Sequence, residues 1–150
     1  MQLSRWTFLV AVFASFLACH DSPTAPVFDQ PYILFGVGDH LLPATISASP
    51  GDTLSAIAGA VTLSATGRAS IFERIRSVHP GSGVTLTEST TNYTYRIIGD
   101  SLAFDYDARC PPDAICVGPP GGKLIGTSLT LTFGNPAYSP PFQYFRVGLD

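Results

Sequence analysis

Charged residues are scarce in this 150-residue chain, where they make up 13% of the total, with eight basic and eleven acidic side chains. The basic residues form no cluster, and clustered lysine and arginine are what bind nucleic-acid phosphates. Histidine is rarer still, and His20, His40 and His79 are too scattered to form a metal centre. No window has the three- and four-residue apolar spacing of an amphipathic helix. These absences argue against a nucleic-acid partner, a histidine metal site and a helical fold.

Long apolar runs are also missing. The mainly apolar stretch at 6–18 has about thirteen residues, whereas a membrane-spanning helix needs roughly twenty. A short start carrying Arg5, this stretch and small residues before a cysteine are typical of a secretory signal peptide. The sequence Phe-Leu-Ala-Cys at 16–19 resembles the lipobox of bacterial lipoproteins. That resemblance implies cleavage after residue 18 and a diacylglycerol on the thiol of Cys19.

Two other interpretations of the amino-terminal region stay open. An ordinary secretory signal cut near Ala18 would leave Cys19 as a free thiol, and a retained anchor is disfavoured by the short apolar run. Residues 19–30 contain prolines and small polar side chains and are predicted to form an extended tether. His20, rather than aspartate, follows the cysteine, and by resemblance to enterobacterial lipoproteins this favours the outer membrane of a bacterial cell envelope.

The cysteine count is odd, which in an exported protein needs an explanation. Lipidation of Cys19 would use one thiol and leave Cys110 and Cys116 as a pair in a proline-rich loop. A disulfide closing this short loop is predicted to contribute about 2 kcal/mol of stability. The alternatives are a redox pair or half of a metal site. Both are poorly supported, because the spacing is not Cys-x-x-Cys and no histidine is near in sequence.

Threonine, serine, glycine, proline and aromatic residues are abundant, as in strands joined by tight turns. Alternating patterns and turn signals predict a single domain over 31–150. Its strands are predicted at 32–37, 41–48, 53–65, 69–78, 84–98, 101–107, 123–133 and 142–147. Pro43 indicates an edge or a bulge. Because eight strands in one open sheet would leave two bare edges, we expect an all-β antiparallel meander that closes into an up-and-down barrel.

The segment at 32–44 resembles the opening of a group of uncharacterised bacterial lipoproteins, Tyr-x-Leu-x-x-Val-x-Gly-x-x-Leu-Pro-Ala. Asp39 stands where that pattern has glycine. These relatives look like small lipocalin-like barrels, so the resemblance implies the same fold here. The matching residues belong to turns and the core, and they imply no particular chemistry.

Residues 99–102 spell Gly-Asp-Ser-Leu, the signature of an esterase family in which the serine is the nucleophile. That family also needs a downstream Asp-x-x-His, because the serine needs a base. No histidine follows His79. The four residues are therefore better explained as a hairpin turn entering a strand.

The remaining sequence motifs give no cofactor or metal site. Asp105, Asp107 and Asp113 could bind calcium, but Asp105 and Asp107 share the outward face of a predicted strand and no calcium-loop spacing follows. The sequence Pro-Pro-Gly-Gly-Lys at 119–123 lacks the pattern of a phosphate loop. We expect solvated surface and a turn, and no enzyme activity.

Three classes of function remain, and the first is favoured: a non-catalytic structural or interaction module of the cell envelope, attached to the membrane through Cys19. The second is a barrel that binds one small apolar ligand, and the third, an enzyme, is the weakest. Bulky residues separate the first two classes, because large rings on the interior would fill the barrel. The aromatic residues predicted on core faces are Tyr93, Tyr95, Phe104, Tyr106, Phe133 and Tyr144.

Overall fold

The computed structural model describes residues 28–107, 118–134 and 140–147. These residues form ten strands: β1 (Pro31–Val37), β2 (His40–Leu41), β3 (Ala44–Ser49), β4 (Asp52–Leu63), β5 (Arg68–His79), β6 (Gly83–Ile98), β7 (Ser101–Tyr106), β8 (Gly121–Ile125), β9 (Ser128–Thr132) and β10 (Phe142–Arg146). Over the same residues there is no helix that is long and apolar enough to cross a membrane. The prediction of an all-β fold is confirmed.

Eight of the ten strands close into an antiparallel barrel. From β4 to β10 each strand pairs with the next along the chain, and β1 pairs with both β10 and β4. The closing seam places Tyr32 opposite Val61 and Ile33 opposite Ala60. The predicted meander and its closure are therefore confirmed.

The strand predicted at 41–48 is divided by Pro43 into β2 and β3, and neither is one of the eight strands of the barrel. The short β2 folds back on β1, with Gly36 opposite Leu41, while β3 pairs with the first half of β4. Gly36 permits the close return, since a Cβ there would lie 2.7 Å from the carbonyl oxygen of His40. Both short strands therefore continue the seam between β1 and β4.

The prediction of a single strand at 123–133 is wrong, because the chain turns in the middle of this segment and forms two strands of the barrel, β8 and β9. Gly126 lies in this turn with φ of 59°, a conformation that side-chain-bearing residues rarely adopt. Across the hairpin, Leu124 lies opposite Leu129 and Gly122 opposite Leu131. The barrel still has the predicted number of eight strands. The segment at 123–133 supplies two of them instead of one, and the segment at 41–48 supplies none.

The core fills the inside of the barrel. Four of the predicted core aromatics are buried, and Tyr106 and Phe133 are partly buried against the same cluster. The largest side chains with under 2% exposure are Tyr32, Tyr144, Phe142, Leu63, Ile71, Leu129 and Leu131. Edge-to-face ring pairs such as Tyr93 with Phe104, with centroids 5.9 Å apart, pack the interior further. The predicted aromatic interior is confirmed.

Candidate functional site

The residues predicted for lipid attachment and disulfide formation, Cys19, Cys110 and Cys116, lie outside the described residues. The tether prediction at 19–30 lies outside them too, except for its last three residues. The lipid on Cys19 and the pairing of the other two cysteines therefore stay predictions. A functional site among the described residues must be built from other groups.

Ser101 begins β7 directly after the turn at 99–100, as the hairpin interpretation predicted. Its hydroxyl donates to a carboxylate oxygen of Asp100 at 3.3 Å. That carboxylate also lies 3.1 Å from the Lys123 ammonium, and the hydrogen bond with Lys123 lowers the pKa of Asp100. A carboxylate held in its ionised form by a cation is a weak general base. The described surroundings of Ser101 thus stabilise a turn, and they contain no partner that would activate a nucleophile.

The acidic residues considered for calcium pair with arginines. Asp105 lies 3.7 Å from Arg96, and Asp107 lies 3.5 Å from Arg68. No group of three or more metal-binding side chains occurs over residues 28–107, 118–134 and 140–147. Asp113 and His20 lie outside those ranges.

Two glycines on the inner face show how tightly the barrel is filled. A Cβ on Gly122 would lie 3.0–3.1 Å from atoms of Phe104, Leu102 and Leu131, and a Cβ on Gly59 would lie 3.1 Å from Leu34. The space beside both glycines is therefore filled by neighbouring core side chains. Small inner residues, which a ligand-binding barrel would use to form a cavity, here make room for aromatic and aliphatic groups.

Among the described residues, three buried polar side-chain atoms have no hydrogen-bond partner: the hydroxyls of Tyr32 and Tyr144 and one carboxylate oxygen of Glu73. Glu73 follows the inward alternation of Ala69, Ile71 and Ile75 along β5. Its burial raises its pKa above the ordinary 4.5. Burial, and then the charge of Glu73, also raises the pKa of Tyr144.

Glu73 lies close enough to Tyr144 for its charge to affect the tyrosine, and Tyr32 belongs to the same core. Surface depressions of about 250 to 470 Å³ occur among the described residues, and they are lined by side chains other than Tyr32, Glu73 and Tyr144. With its raised pKa the Tyr144 hydroxyl stays protonated, so it is a hydrogen-bond donor and not a base. These polar groups lie within or against the packed core, and Glu73 itself is half-buried.

The most accessible feature lies where β6 extends past β7. Residues 93–98 of β6 pair with β5 or β7 or both, but residues 83–92 pair only with β5 among the described residues. This one-sided stretch, whose outer backbone we call the β6 edge, is ten residues long and exposed at every position except the half-buried Thr91. Alternate residues of such a strand direct N–H and C=O groups away from β5. The β6 edge can therefore accept another strand.

The outer edge of β3, on the other side of the same sheet, carries the usual protection against strand addition. This strand has six residues, lies between Pro43 and Pro50, and has a bulge in its pairing between Thr45 and Ser47. Short length, proline and bulges all discourage edge-to-edge pairing. The β6 edge has none of these features, since residues 83–92 contain no proline or lysine and their register with β5 is continuous.

The side chains next to the β6 edge are exposed aliphatic and hydroxyl groups. Val84 and Leu86 point to the outer face with 57% and 63% of their surfaces exposed. They lie opposite Val78 and Arg76 of β5. Glu88, farther along the same face, accepts a hydrogen bond from Arg74 at 2.7 Å, so its charge is matched within the chain. The outer face thus carries Val84 and Leu86 near the tip, Arg76 beside Leu86, and the Arg74–Glu88 pair behind them.

The sequence contained a signal for this edge that the strand predictions left unused. A strand predicted at 84–98 is followed, after a two-residue turn, by one at 101–107, so about half of the first strand has no counterpart. In the structure, β6 has 16 residues and β7 has six. A long strand followed by a short hairpin partner thus marks an open edge.

Comparison with known proteins gives no match to any family model, and none among curated proteins or solved structures.

Proposed function

We propose that this protein is a non-catalytic interaction module that binds an extended polypeptide segment by strand addition at the β6 edge. The open and unprotected edge at residues 83–92, contrasted with the protected edge of β3, is the observation that carries the proposal. Strand addition supplies main-chain hydrogen bonds for affinity, and alternating side chains supply specificity. Four threonines and Val84 give the edge the β-branched residues that favour pairing.

We further propose that the module is a bacterial lipoprotein attached through Cys19 to the cell envelope, with the outer membrane favoured. The amino-terminal sequence supports this part of the proposal. A single acyl chain binds membranes only marginally, whereas lipidation of both the thiol and the new amino terminus would give stable attachment. Residues 20–30 could extend up to about 40 Å between Cys19 and β1.

The position of the β6 edge suits such an anchor. The first residue of β1, Pro31, lies opposite Thr62, which lies opposite Ser70 and then Asn92, at one end of the β6 edge. Gly83 lies nine residues farther along β6, or about 30 Å at 3.3 Å per residue. The tip of the β5–β6 hairpin therefore points away from the end of the barrel where β1 begins, so an anchor before β1 would leave the tip accessible.

Binding of one small apolar ligand inside the barrel is the alternative function. The close packing around Gly59 and Gly122 and the buried polar atoms of Tyr32, Glu73 and Tyr144 do not favour it. An apolar guest would displace core side chains and would leave the same polar atoms unpaired. Enzyme activity also stays disfavoured, because no activating base lies beside Ser101 among the described residues.

Hydrogen exchange tests the strand-addition proposal. In the purified, dilute protein, the amides of residues 83–92 that face away from β5 should exchange rapidly. On the native membrane, with the partner present, we expect at least tenfold slower exchange at these amides and no change along β3. Equally rapid exchange on the membrane would contradict strand addition. Slow exchange in the dilute monomer would show that the chain covers its own edge, and would contradict it as well.

The anchor is tested separately by Cys19→Ser. We expect the variant to leave the membrane fraction, or to accumulate without signal cleavage, because the acyl acceptor is gone. Cys110→Ser is the matched control and should stay membrane-bound. Normal cleavage and membrane association of Cys19→Ser would rule out the lipid anchor without affecting the strand-addition proposal.

A further inference from the structure

We infer that the strand added at the β6 edge is β6 of a second copy of this chain, which joins two barrels into one dimer with a continuous sheet. This inference rests on the proposed function and names its partner. In a twofold dimer the same surface must be complementary to itself. Two antiparallel β6 strands satisfy this condition when one residue lies opposite its own copy and the flanking residues pair reciprocally.

The side chains of residues 82–88 select one register. With Thr85 opposite Thr85 of the second copy, Val84 lies opposite Leu86 of that copy, and Leu86 lies opposite its Val84. Both exposed aliphatic residues of each chain then gain an apolar partner, and the central threonines form a favourable cross-strand pair on the inner face. Val84 and Leu86 have 57% and 63% exposure to lose.

Neighbouring registers place a charge against this apolar group. Centring the pairing on Leu86 puts the carboxylate of Glu88 opposite Val84, and centring it on Thr87 puts Glu88 opposite Leu86. Centring it on Glu88 itself brings two carboxylates face to face, which is destabilising. The Thr85 register instead places Glu88 opposite Ser82, where it can keep its hydrogen bond from Arg74.

The Thr85 register also keeps the two barrels apart. In this pairing Gly81, at the tip of one hairpin, reaches Ser89 of the other chain. Pairing between β6 and β7 begins four residues farther on, at Tyr93, which is about 13 Å along the strand. The second copy therefore occupies the outer part of the β6 edge and leaves residues 90–92 beside the end of β7 unpaired.

The contact area sets the expected strength. One pair of seven-residue segments with four aliphatic side chains is small beside the roughly 1,200–2,000 Å² buried in stable protein interfaces. We therefore expect a reversible dimer whose population rises with protein concentration. Attachment of both copies to one membrane would raise their effective concentration.

Cysteine cross-linking of the full chain in detergent tests the register. The Cα atoms of residues directly opposite in an antiparallel pair lie about 4.5–5.5 Å apart, within the range of a disulfide. Thr85→Cys should therefore form an intermolecular bond between its own copies, identified by peptide mapping, at least tenfold faster than Thr87→Cys. In the Thr85 register Thr87 lies opposite Gly83, and its two copies are about 13 Å apart along the strands. Equal rates, or faster bonding at position 87, would overturn the inference.

Sedimentation equilibrium tests the dimer without a new cysteine. We expect Leu86→Lys to weaken association at least tenfold, because it places an ammonium in the apolar contact. Thr45→Lys on the β3 edge is the matched control and should associate like the wild type. A wild-type protein that stays monomeric to about millimolar concentration would overturn the second copy as partner, while strand addition would still stand if the β6 edge is protected on the membrane. An edge already protected in the dilute monomer would overturn both.

Discussion

The two halves of β6 have one backbone geometry and two environments. Residues 93–98 belong to the barrel, where Tyr93 and Tyr95 are 7% exposed. Of residues 83–92, every one except Thr91 is exposed. Both halves pair along their length with neighbours in continuous register, so the difference does not come from the strand itself. It comes from the side chains on the inner face.

The inner face of β6 changes character at one position. Before Tyr93 it carries Thr85, Thr87, Ser89 and Thr91, which are small and polar, and from Tyr93 it carries large rings. Large apolar side chains stabilise a closed barrel because folding removes their surfaces from contact with water. Hydroxyl side chains contribute little stability when they are buried. The barrel thus ends where the bulky inner residues end, and the β5–β6 hairpin continues as an extension in which β6 pairs only with β5 among the described residues.

The largest expected contrast between the two regions is between two leucines. Leu129 is fully buried in the barrel, and Leu86 is 63% exposed on the extension. We expect Leu129→Ala to lower the free energy of unfolding by about 2–5 kcal/mol. Leu86→Ala should change it by less than about 0.5 kcal/mol. Urea denaturation of both variants at a concentration where the protein is monomeric measures the difference, and equal losses would show that the extension is part of the packed core.

Two adjacent glycines of β8 sharpen the same comparison on a smaller scale. Gly122→Ala places a methyl group 3.0–3.1 Å from Phe104, Leu102 and Leu131. It should cost about 1–3 kcal/mol of stability, which is typical of overpacking. At Gly121 a methyl group meets nothing within 4 Å, so Gly121→Ala should be neutral or slightly stabilising. Denaturation of the two variants side by side tests whether the inner face is full, and a harmless Gly122→Ala would indicate unfilled space for a ligand.

Much of the barrel can be predicted from the sequence because closure depends on alternation and turns. Alternating aromatics such as Tyr93, Tyr95 and Phe104 mark inner faces, and a turn at 99–100 joins two of the strands. Gly126 was harder to interpret, because Leu124, Leu129 and Leu131 lie inside whether or not the chain turns between them. A single glycine with positive φ does not differ in sequence from a glycine tolerated within a strand.

The candidate site is less predictable, because an open edge is a relation between strands rather than a motif. Among the described residues, β7 ends at Tyr106 while β6 extends for ten residues beyond its last pair with β7, and this difference creates the β6 edge. Strand lengths from sequence carry that information only if both ends are predicted correctly, and strand ends are weakly encoded. Glu73 was missed for a related reason, since one carboxylate in an alternating strand resembles a solvent-facing residue until the register is known.

The smallest of the three effects concerns charge inside and outside the barrel. Because burial raises the pKa of Glu73 above 4.5, the folded state binds this proton more tightly than the unfolded state does. Stability from this group is therefore fully present below the unfolded-state pKa, and it is lost as pH rises through the higher folded-state pKa. Glu73→Gln keeps the shape of the side chain and removes the titration. The free energy of unfolding of the variant, relative to that of the wild type, should rise between pH 4 and pH 7. This rise should be smaller than the loss caused by Leu129→Ala or by Gly122→Ala.

Glu88→Gln, on the exposed extension, is the matched control for this measurement. Glu88 is 53% exposed and pairs with Arg74, and surface pairs of this kind contribute about 0–1 kcal/mol. Its loss should therefore make the protein slightly less stable at pH 7 rather than more stable. At pH 7 the two substitutions would then change the free energy of unfolding in opposite directions. That result would show that the Glu73 carboxylate destabilises the barrel, whereas the Glu88 carboxylate slightly stabilises the extension. If Glu73→Gln also lowered stability at neutral pH, the buried carboxylate would have to be paired with an unrecognised donor, and the barrel interior would become the stronger candidate for a binding site.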